Sequence, residues 1–231
     1  FASKTTRTLR GCSMVRPQQI DDLTREQYWY LTPEDQCFYF YEYTPGAGYQ
    51  HSDANKFIFN FKKPVSRKGL SDYKYKGQAI DRAIQLLRQA FGGQKPEFWT
   101  GTTFVPVPPS KAPDHSEYDD RLFQLVRGIC ANTGGEAREL IRQNTSYQAS
   151  HAQSDGARIK PGELTGLYSF DSDAPPRSLV VLIDDVLTTG CHFRVAKDMI
   201  IKRWPSTDVF GFFLARVARP DPADAFPDET S

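Results

Sequence analysis

The sequence has few features of disulfide-stabilised, zinc-ribbon or membrane proteins. Its four cysteines, Cys12, Cys37, Cys130 and Cys191, are widely spaced and form no CxxC pair, so neither a disulfide framework nor a zinc ribbon is predicted. There is no run of about 18 apolar residues, so no transmembrane helix is expected. Residues 1–4 do not have the pattern of a signal peptide. A reducing cytoplasm is the simplest context.

The chain also lacks a strong overall charge. Its formal net charge is +1, which gives no global field that would attract nucleic acid or a membrane. The local exception is residues 56–76, where seven basic residues and one acid give a net charge of +6 among Phe and Tyr. Two interpretations stay open for this segment: a nucleic-acid or protein-binding surface, or a solvated helix face.

The most informative pattern lies in residues 178–192. The unbroken aliphatic run at 179–183 predicts a buried parallel strand that ends where Asp184 and Asp185 begin. The carboxyl ends of such strands are where open α/β sheets bind ligands. Small and hydroxylic residues then precede a helical pattern: Thr188, Thr189 and Gly190. Backbone N–H groups in such a turn can converge on one anion, so the pattern predicts a phosphate site.

Four aliphatic residues, two acids and a Thr-Thr-Gly turn closely resemble the phosphoribosyl-pyrophosphate (PRPP) motif of type I phosphoribosyltransferases. The resemblance implies that Asp184 and Asp185 hold the ribose hydroxyls and act as catalytic residues. It implies that the rest of the motif, which begins with Val186 and Leu187, also belongs to the PRPP site. The residues that bind the 5′-phosphate are then Thr188, Thr189, Gly190, Cys191 and His192. The alternative is an acidic turn after an ordinary strand. At the start of the helix, Cys191 is expected to have a lowered thiol pKa, unless it only fills the loop.

A second match lies upstream. Residues 105–108, Val-Pro-Val-Pro, resemble the strand end that forms the pyrophosphate loop in the ComF-like branch of the family, although this chain has no zinc ribbon. The resemblance implies a diphosphate loop of Pro108, Pro109, Ser110 and Lys111, with Lys111 as a catalytic cation. The alternative is a proline-rich strand end with a solvated lysine. Arg121 falls in a partial match to a further ComF-like segment, and we interpret it as a helix-surface residue.

Residues 143–163 form a long polar stretch. Such loops are uncommon inside a compact domain unless they act as lids or are disordered. Type I phosphoribosyltransferases place a flexible catalytic loop here, which implies that His151, Arg158 and Lys160 meet the leaving diphosphate. The alternative is a tolerant surface loop.

The resulting prediction is an α/β protein with a Rossmann-like, mostly parallel central sheet. Residues 1–69 are expected to form an N-terminal aromatic β element or hood, including a strand at 57–61. Residues 70–218 are expected to form the phosphoribosyltransferase domain, and residues 219–231 a mobile acidic tail. A homodimer is one option for its assembly.

The predicted function is transfer of ribose 5-phosphate from PRPP to an unidentified acceptor. Mg²⁺ is expected to bind together with PRPP, and Asp184 and Asp185 are the candidates for direct ligands of the metal ion. Purine salvage is disfavoured because Thr188 replaces the acid that this branch carries. The alternative is an inactive protein of this fold that senses PRPP or nucleotides, as a regulator or as a component of a multi-protein defence or stress system.

Overall fold

A computed structural model describes residues 15–146 and 159–218. The central strands are β1 (Gln18–Gln19), β2 (Cys37–Tyr43), β3 (Thr102–Pro106), β4 (Glu136–Ala137), β7 (Leu179–Leu187) and β8 (Asp208–Val217). They form a six-stranded sheet in the order β1-β2-β8-β7-β3-β4. Every neighbouring pair is parallel except β1 with β2. The predicted α/β class with a mostly parallel sheet is confirmed and is consistent with a Rossmann-like fold. A separate antiparallel pair consists of β5 (Ile141–Gln143) and β6 (Tyr168–Phe170).

The helices within the described residues pack on the two faces of this sheet. They are α1 (Asp22–Arg25), α2 (Asp53–Phe61), α3 (Lys74–Phe91), α4 (Pro96–Thr100), α5 (Arg121–Cys130), α6 (Pro161–Leu167) and α7 (Cys191–Arg203), with a short 3-10 helix at Val65–Arg67. Val181 and Ile183 pack into the core beneath α2, α3 and α5, whereas Val180 and Leu182 pack into the core beneath α6 and α7. Both faces of β7 are therefore covered, which explains its continuous aliphatic run.

The prediction for residues 57–61 was wrong, because they belong to helix α2. Ser52 caps α2 by accepting a hydrogen bond from the Asn55 N–H at 3.0 Å. Phe57, Ile58 and Phe61 are buried at helical spacing, and each buried side chain stabilises the fold by about 1.5–3 kcal/mol. The aromatic content had suggested a strand, but the cap and the one-sided burial favour a helix.

The N-terminal strand β2 is an integral part of the central sheet. It pairs in parallel with β8 from Cys37↔Gly211 to Tyr43↔Val217. The described N-terminal residues therefore share a core with the rest of the chain. The proposed boundaries at residues 69 and 218 stay predictions, and the tail at 219–231 lies outside the described residues. Within the described ranges, no helix is both long and apolar enough to cross a membrane.

Candidate functional site

The two acids of the motif lie inside strand β7, not after its end. β7 pairs with β8 as far as Leu187↔Arg216, but its pairing with β3 stops at Pro106↔Ile183. The expectation that the strand ends where the charge begins was therefore wrong. Beyond Ile183, the edge of β7 that faces β3 has no further strand pairing within the described residues, and Asp184 is partly exposed there.

A three-residue turn, Thr188, Thr189 and Gly190, joins β7 to α7. Gly190 has φ +81°, a left-handed conformation that favours glycine. A Cβ added there would come within 2.8 Å of Leu31 Cδ2. The first N–H groups of α7 follow at once, and an α-helix leaves such groups without internal acceptors. The turn therefore lies at a helix N-terminus, a place where anions can bind, and the Cys191 N–H there donates to Thr189 Oγ1 at 3.4 Å.

A buried ion cluster holds the residues that cover this turn. The Tyr30 N–H donates to the Thr189 carbonyl at 3.1 Å, and the Arg194 Nε donates to the Tyr30 carbonyl at 3.0 Å. The fully buried Asp35 carboxylate pairs with Arg194 and, at 2.6 Å, with Lys197. Helix α7 and the N-terminal segment are thus joined directly above the turn. No local sequence pattern indicates this cluster, because Asp35 and Lys197 are 162 positions apart.

Asp185 is held by cations of the chain itself. Its side chain is 6% exposed, and it pairs with Lys62 Nζ at 3.2 Å and with Arg121 Nη2 at 2.5 Å. Arg121 also pairs with Asp119 at 2.9 Å, and Asp119 pairs with Lys76 at 2.7 Å. This cluster of three cations and two acids, here called the Asp185 network, has a net charge of +1.

The Asp185 network corrects two expectations. Arg121 is not a helix-surface residue, since its side chain is 15% exposed and lies against Asp185. Lys62 is not part of a free basic surface, since it bonds Asp185. Lys76, Asp119 and Lys62 were missed as site residues because their partners are remote in sequence. The partial ComF-like match at Arg121 was the one available signal.

The two acids differ in their protonation. Burial alone would raise the pKa of Asp185, but Lys62 and Arg121 outweigh burial and hold this pKa well below its usual range. Burial and the negative charge of Asp185 raise the pKa of Asp184 to about 7. Asp184 is partly exposed, and one of its oxygens accepts the Asp185 N–H at 2.7 Å. Asp184 is therefore the more exposed and more readily protonated acid of the pair, and Asp185 anchors the network.

The predicted diphosphate loop begins next to this acid pair. The Val107 N–H donates to the Ile183 carbonyl at 2.9 Å, so the chain leaves β3 one residue from Asp184. Pro108 is buried, whereas Pro109, Ser110 and Lys111 are partly exposed. Lys111 makes no ion pair with the described residues. The start of the predicted loop thus lies next to the motif.

The flanks of the predicted flexible loop also meet the motif. β5 and β6 pair at its two ends, and Tyr168 in β6 contacts His192 Nδ1 through its hydroxyl at 2.9 Å. The Ile159 carbonyl accepts from Cys191 Sγ at 3.6 Å, which places the neighbouring Lys160 close to the start of α7. His151 and Arg158 lie outside the described residues.

Burial shifts the pKa values of both side chains at the start of α7, Cys191 and His192. It raises the pKa of the Cys191 thiol to about 11, so the expected lowered pKa was wrong and Cys191 instead fills the loop. Burial lowers the pKa of His192 to about 4, so its imidazole is neutral at pH 7. Phosphate binding by this turn would therefore depend on N–H and hydroxyl donors, without a cationic histidine.

No group of three or more His, Cys, Asp or Glu side chains that could hold a metal occurs in residues 15–146 and 159–218. The carboxylate of Asp184 is the hard oxygen ligand at the open edge that suits Mg²⁺. A scan against protein-family models and a search of the curated proteins both gave no match.

Proposed function

We propose that this protein is a phosphoribosyltransferase that binds PRPP with Mg²⁺ across the carboxyl ends of β3 and β7. The observation that carries the proposal is that β7 contains Asp184 and leads into the turn at Gly190, while the loop that leaves β3 begins beside Asp184, where the Val107 N–H donates to the Ile183 carbonyl. These features occur in the order of the PRPP motif and the pyrophosphate loop of the type I family. The α/β sheet with its site at the strand ends also supports the proposal.

The proposed roles follow from the geometry of each group. The turn and the first N–H groups of α7 bind the 5′-phosphate, and Asp184 accepts hydrogen bonds from the ribose hydroxyls. Lys111 and the net positive Asp185 network attract the diphosphate. Asp184 would be the carboxylate beside a Mg²⁺ ion that accompanies PRPP, and this ion would supply charge neutralisation. Asp185 positions Arg121 and Lys62 and is not itself a ribose ligand.

In the proposed reaction, the bond between the anomeric carbon and the diphosphate oxygen breaks. Diphosphate leaves with the electron pair, and the nucleophile of the acceptor bonds to that carbon and loses its proton. The transition state resembles an oxocarbenium ion, as in glycoside cleavage. The protein's contribution is to position the ribose and stabilise the leaving anion.

The test is diphosphate release from PRPP and Mg²⁺ in the presence of a panel of bases, nucleotides and small amines. We expect at least one acceptor to give diphosphate release above the uncatalysed rate, because the proposed site combines groups that bind the ribose, the 5′-phosphate and the diphosphate. The Lys111→Met variant should release diphosphate about 10- to 100-fold more slowly, since it loses a charge-assisted contact to the leaving group. Tight PRPP binding without release for any acceptor would contradict the enzyme proposal.

The affinity for PRPP is expected to rise with pH between about 6 and about 8. The pKa of Asp184 is raised to about 7, so the carboxylate is protonated below this pH and ionised above it. Below the pKa, affinity should change by up to about tenfold per pH unit. The phosphates of PRPP titrate as well, so the Asp184→Asn variant is the control. Identical pH profiles for both proteins, measured calorimetrically, would contradict this role of Asp184.

A second candidate function is a sensor that binds PRPP or a nucleotide without transfer. The observation that favours it is the engagement of Asp185 by Lys62 and Arg121, which leaves one ligand-facing acid where the family uses two. Such a protein would bind PRPP with the same Asp184 dependence but release no diphosphate. The acceptor panel therefore separates the two functions.

A further inference from the structure

The basic segment 56–76 is a candidate surface for nucleic acid, and the structure shows which of its cations are free for such a surface. Five of its cations already pair with acids: Lys56 with Asp53, Lys62 with Asp185, Lys63 and Arg67 with Asp72, and Lys76 with Asp119. The surface expected around Lys62, Lys63 and Arg67 therefore has little free charge. The segment begins in helix α2 and ends in helix α3. Another part of these two helices has exposed aromatic rings and a cation without an acidic partner among the described residues.

That part is an open groove between α2 and α3, here called the α2–α3 groove, which encloses about 300 Å³. This volume lies at the lower end of the range for ligand sites. The residues that line it are Tyr49, Asp53, Lys56, Phe57, Asn60, Tyr75, Gln78, Ala79 and Arg82. None of them takes part in the Asp185 network or the phosphate turn.

Aromatic surface is concentrated at this groove. Tyr49 and Tyr75 are 42% and 43% exposed, and Phe59, which contacts Tyr49 edge-on at 6.2 Å, is 41% exposed. These three rings are half of the exposed large hydrophobic side chains in the described residues. Exposed rings at one place provide a surface on which a planar ligand can stack.

The charge around the rings is positive, and the Arg82 side chain that carries part of it is held in place by its neighbours. The Arg82 guanidinium lies 4.8 Å from the Phe57 ring centroid and donates to the Tyr41 hydroxyl at 2.9 Å, with no acidic partner among the described residues. Lys74, at the start of α3, lies 5.4 Å from the Tyr75 ring centroid and has no acidic partner among the described residues. Lys63 lies 5.5 Å from the same centroid, but its charge is paired with Asp72. The one acid that lines the groove, Asp53, is exposed and pairs with Lys56. Arg82 and Lys74 are thus the cations that leave positive charge at this surface.

We propose that the α2–α3 groove binds single-stranded nucleic acid, with one base stacked on Tyr75 and an adjoining phosphate on Arg82. Stacking needs an unpaired base, which a single strand supplies and a duplex does not. Asn60 and Gln78 present amide groups that can bond a base edge. Lys74 lies beside Tyr75 but outside the residues that line the groove, and this second cation suits a strand better than a free nucleotide. This inference does not depend on the proposed transferase activity.

The test is fluorescence anisotropy of the whole protein with labelled single-stranded DNA and RNA of about ten nucleotides, without PRPP. We expect binding at about 50 mM salt that weakens at about 200 mM. Tyr75→Ala should weaken binding about tenfold, whereas Tyr75→Phe, the matched control that keeps the ring, should bind as wild type. Arg82→Gln should weaken binding and reduce its salt dependence.

Three outcomes would overturn the proposal. The first is the absence of binding to either single strand at low salt. The second is equal affinity of the wild-type, Tyr75→Ala and Arg82→Gln proteins, since binding would then lie elsewhere. The third is equally tight binding of a blunt duplex, or of a nucleoside monophosphate alone, because the groove would then not select an extended unpaired strand. Far-UV circular dichroism of each variant confirms that it is folded.

Discussion

The Asp184→Asn substitution is expected to weaken PRPP binding by about 10- to 100-fold without loss of stability. Asp184 is the acid at the open edge beyond β3, and its amide replacement loses the charge-assisted bonds to the ribose hydroxyls. Its pKa is raised in the folded state to about 7, so ionisation of Asp184 costs stability as pH rises above its unfolded pKa. A neutral amide avoids this cost, and the variant should be at least as stable as wild type at pH 8.

Asp185→Asn is the matched comparison for this prediction. It should destabilise the fold by about 3–5 kcal/mol, because Lys62 and Arg121 would lose a buried charge partner. Urea unfolding and PRPP titration of both variants give the two readouts. If Asp184→Asn destabilised the protein as strongly as Asp185→Asn, or bound PRPP as wild type, the assignment of separate roles would be wrong.

Arg121→Met is expected to lower the free energy of unfolding by about 3–5 kcal/mol. Arg121 is the link between two buried carboxylates, Asp185 and Asp119, and its loss leaves both with reduced charge compensation. The matched control is Arg127→Met on the same helix. Arg127 is exposed, so its replacement should change stability by no more than about 0.5 kcal/mol.

The same variant also tests the network's effect on the site. Without Arg121, the pKa of Asp185 should rise toward its ordinary value, since Lys62 alone would oppose burial. PRPP affinity should then fall more in Arg121→Met than in Arg127→Met. Equal denaturant midpoints for the two variants would show that the Asp185 network contributes no stability. Equal PRPP affinities would show that it does not attract the ligand.

Local patterns predicted the parts of this protein whose structure depends on neighbours in sequence. The aliphatic run before Asp184 identified a central strand, and Gly190 identified a turn that needs a left-handed residue. The end of β7 was misplaced because the last paired residues, Val186 and Leu187, lie opposite β8 and follow two charged positions. Charge suggested a strand end, but the strand continues through it.

The remainder of the site depends on contacts that sequence spacing does not encode. Lys62 and Asp185 are 123 positions apart, and Arg121 and Asp185 are 64 apart. A basic residue looks solvated unless its acidic partner is known, which explains why residues 56–76 and Arg121 were both interpreted as surface. Residues 57–61 show the same limitation for secondary structure, because aromatic residues favour strands when their burial pattern is unknown.

Calorimetric titration of PRPP with Mg²⁺ tests the central claim most directly. The wild-type protein should bind PRPP at one saturable site, and the Asp184→Asn variant should bind it about 10- to 100-fold more weakly while its circular dichroism still indicates a folded protein. No saturable binding by the wild type, or the same affinity in the folded Asp184→Asn variant, would contradict a PRPP site beside Asp184 of β7.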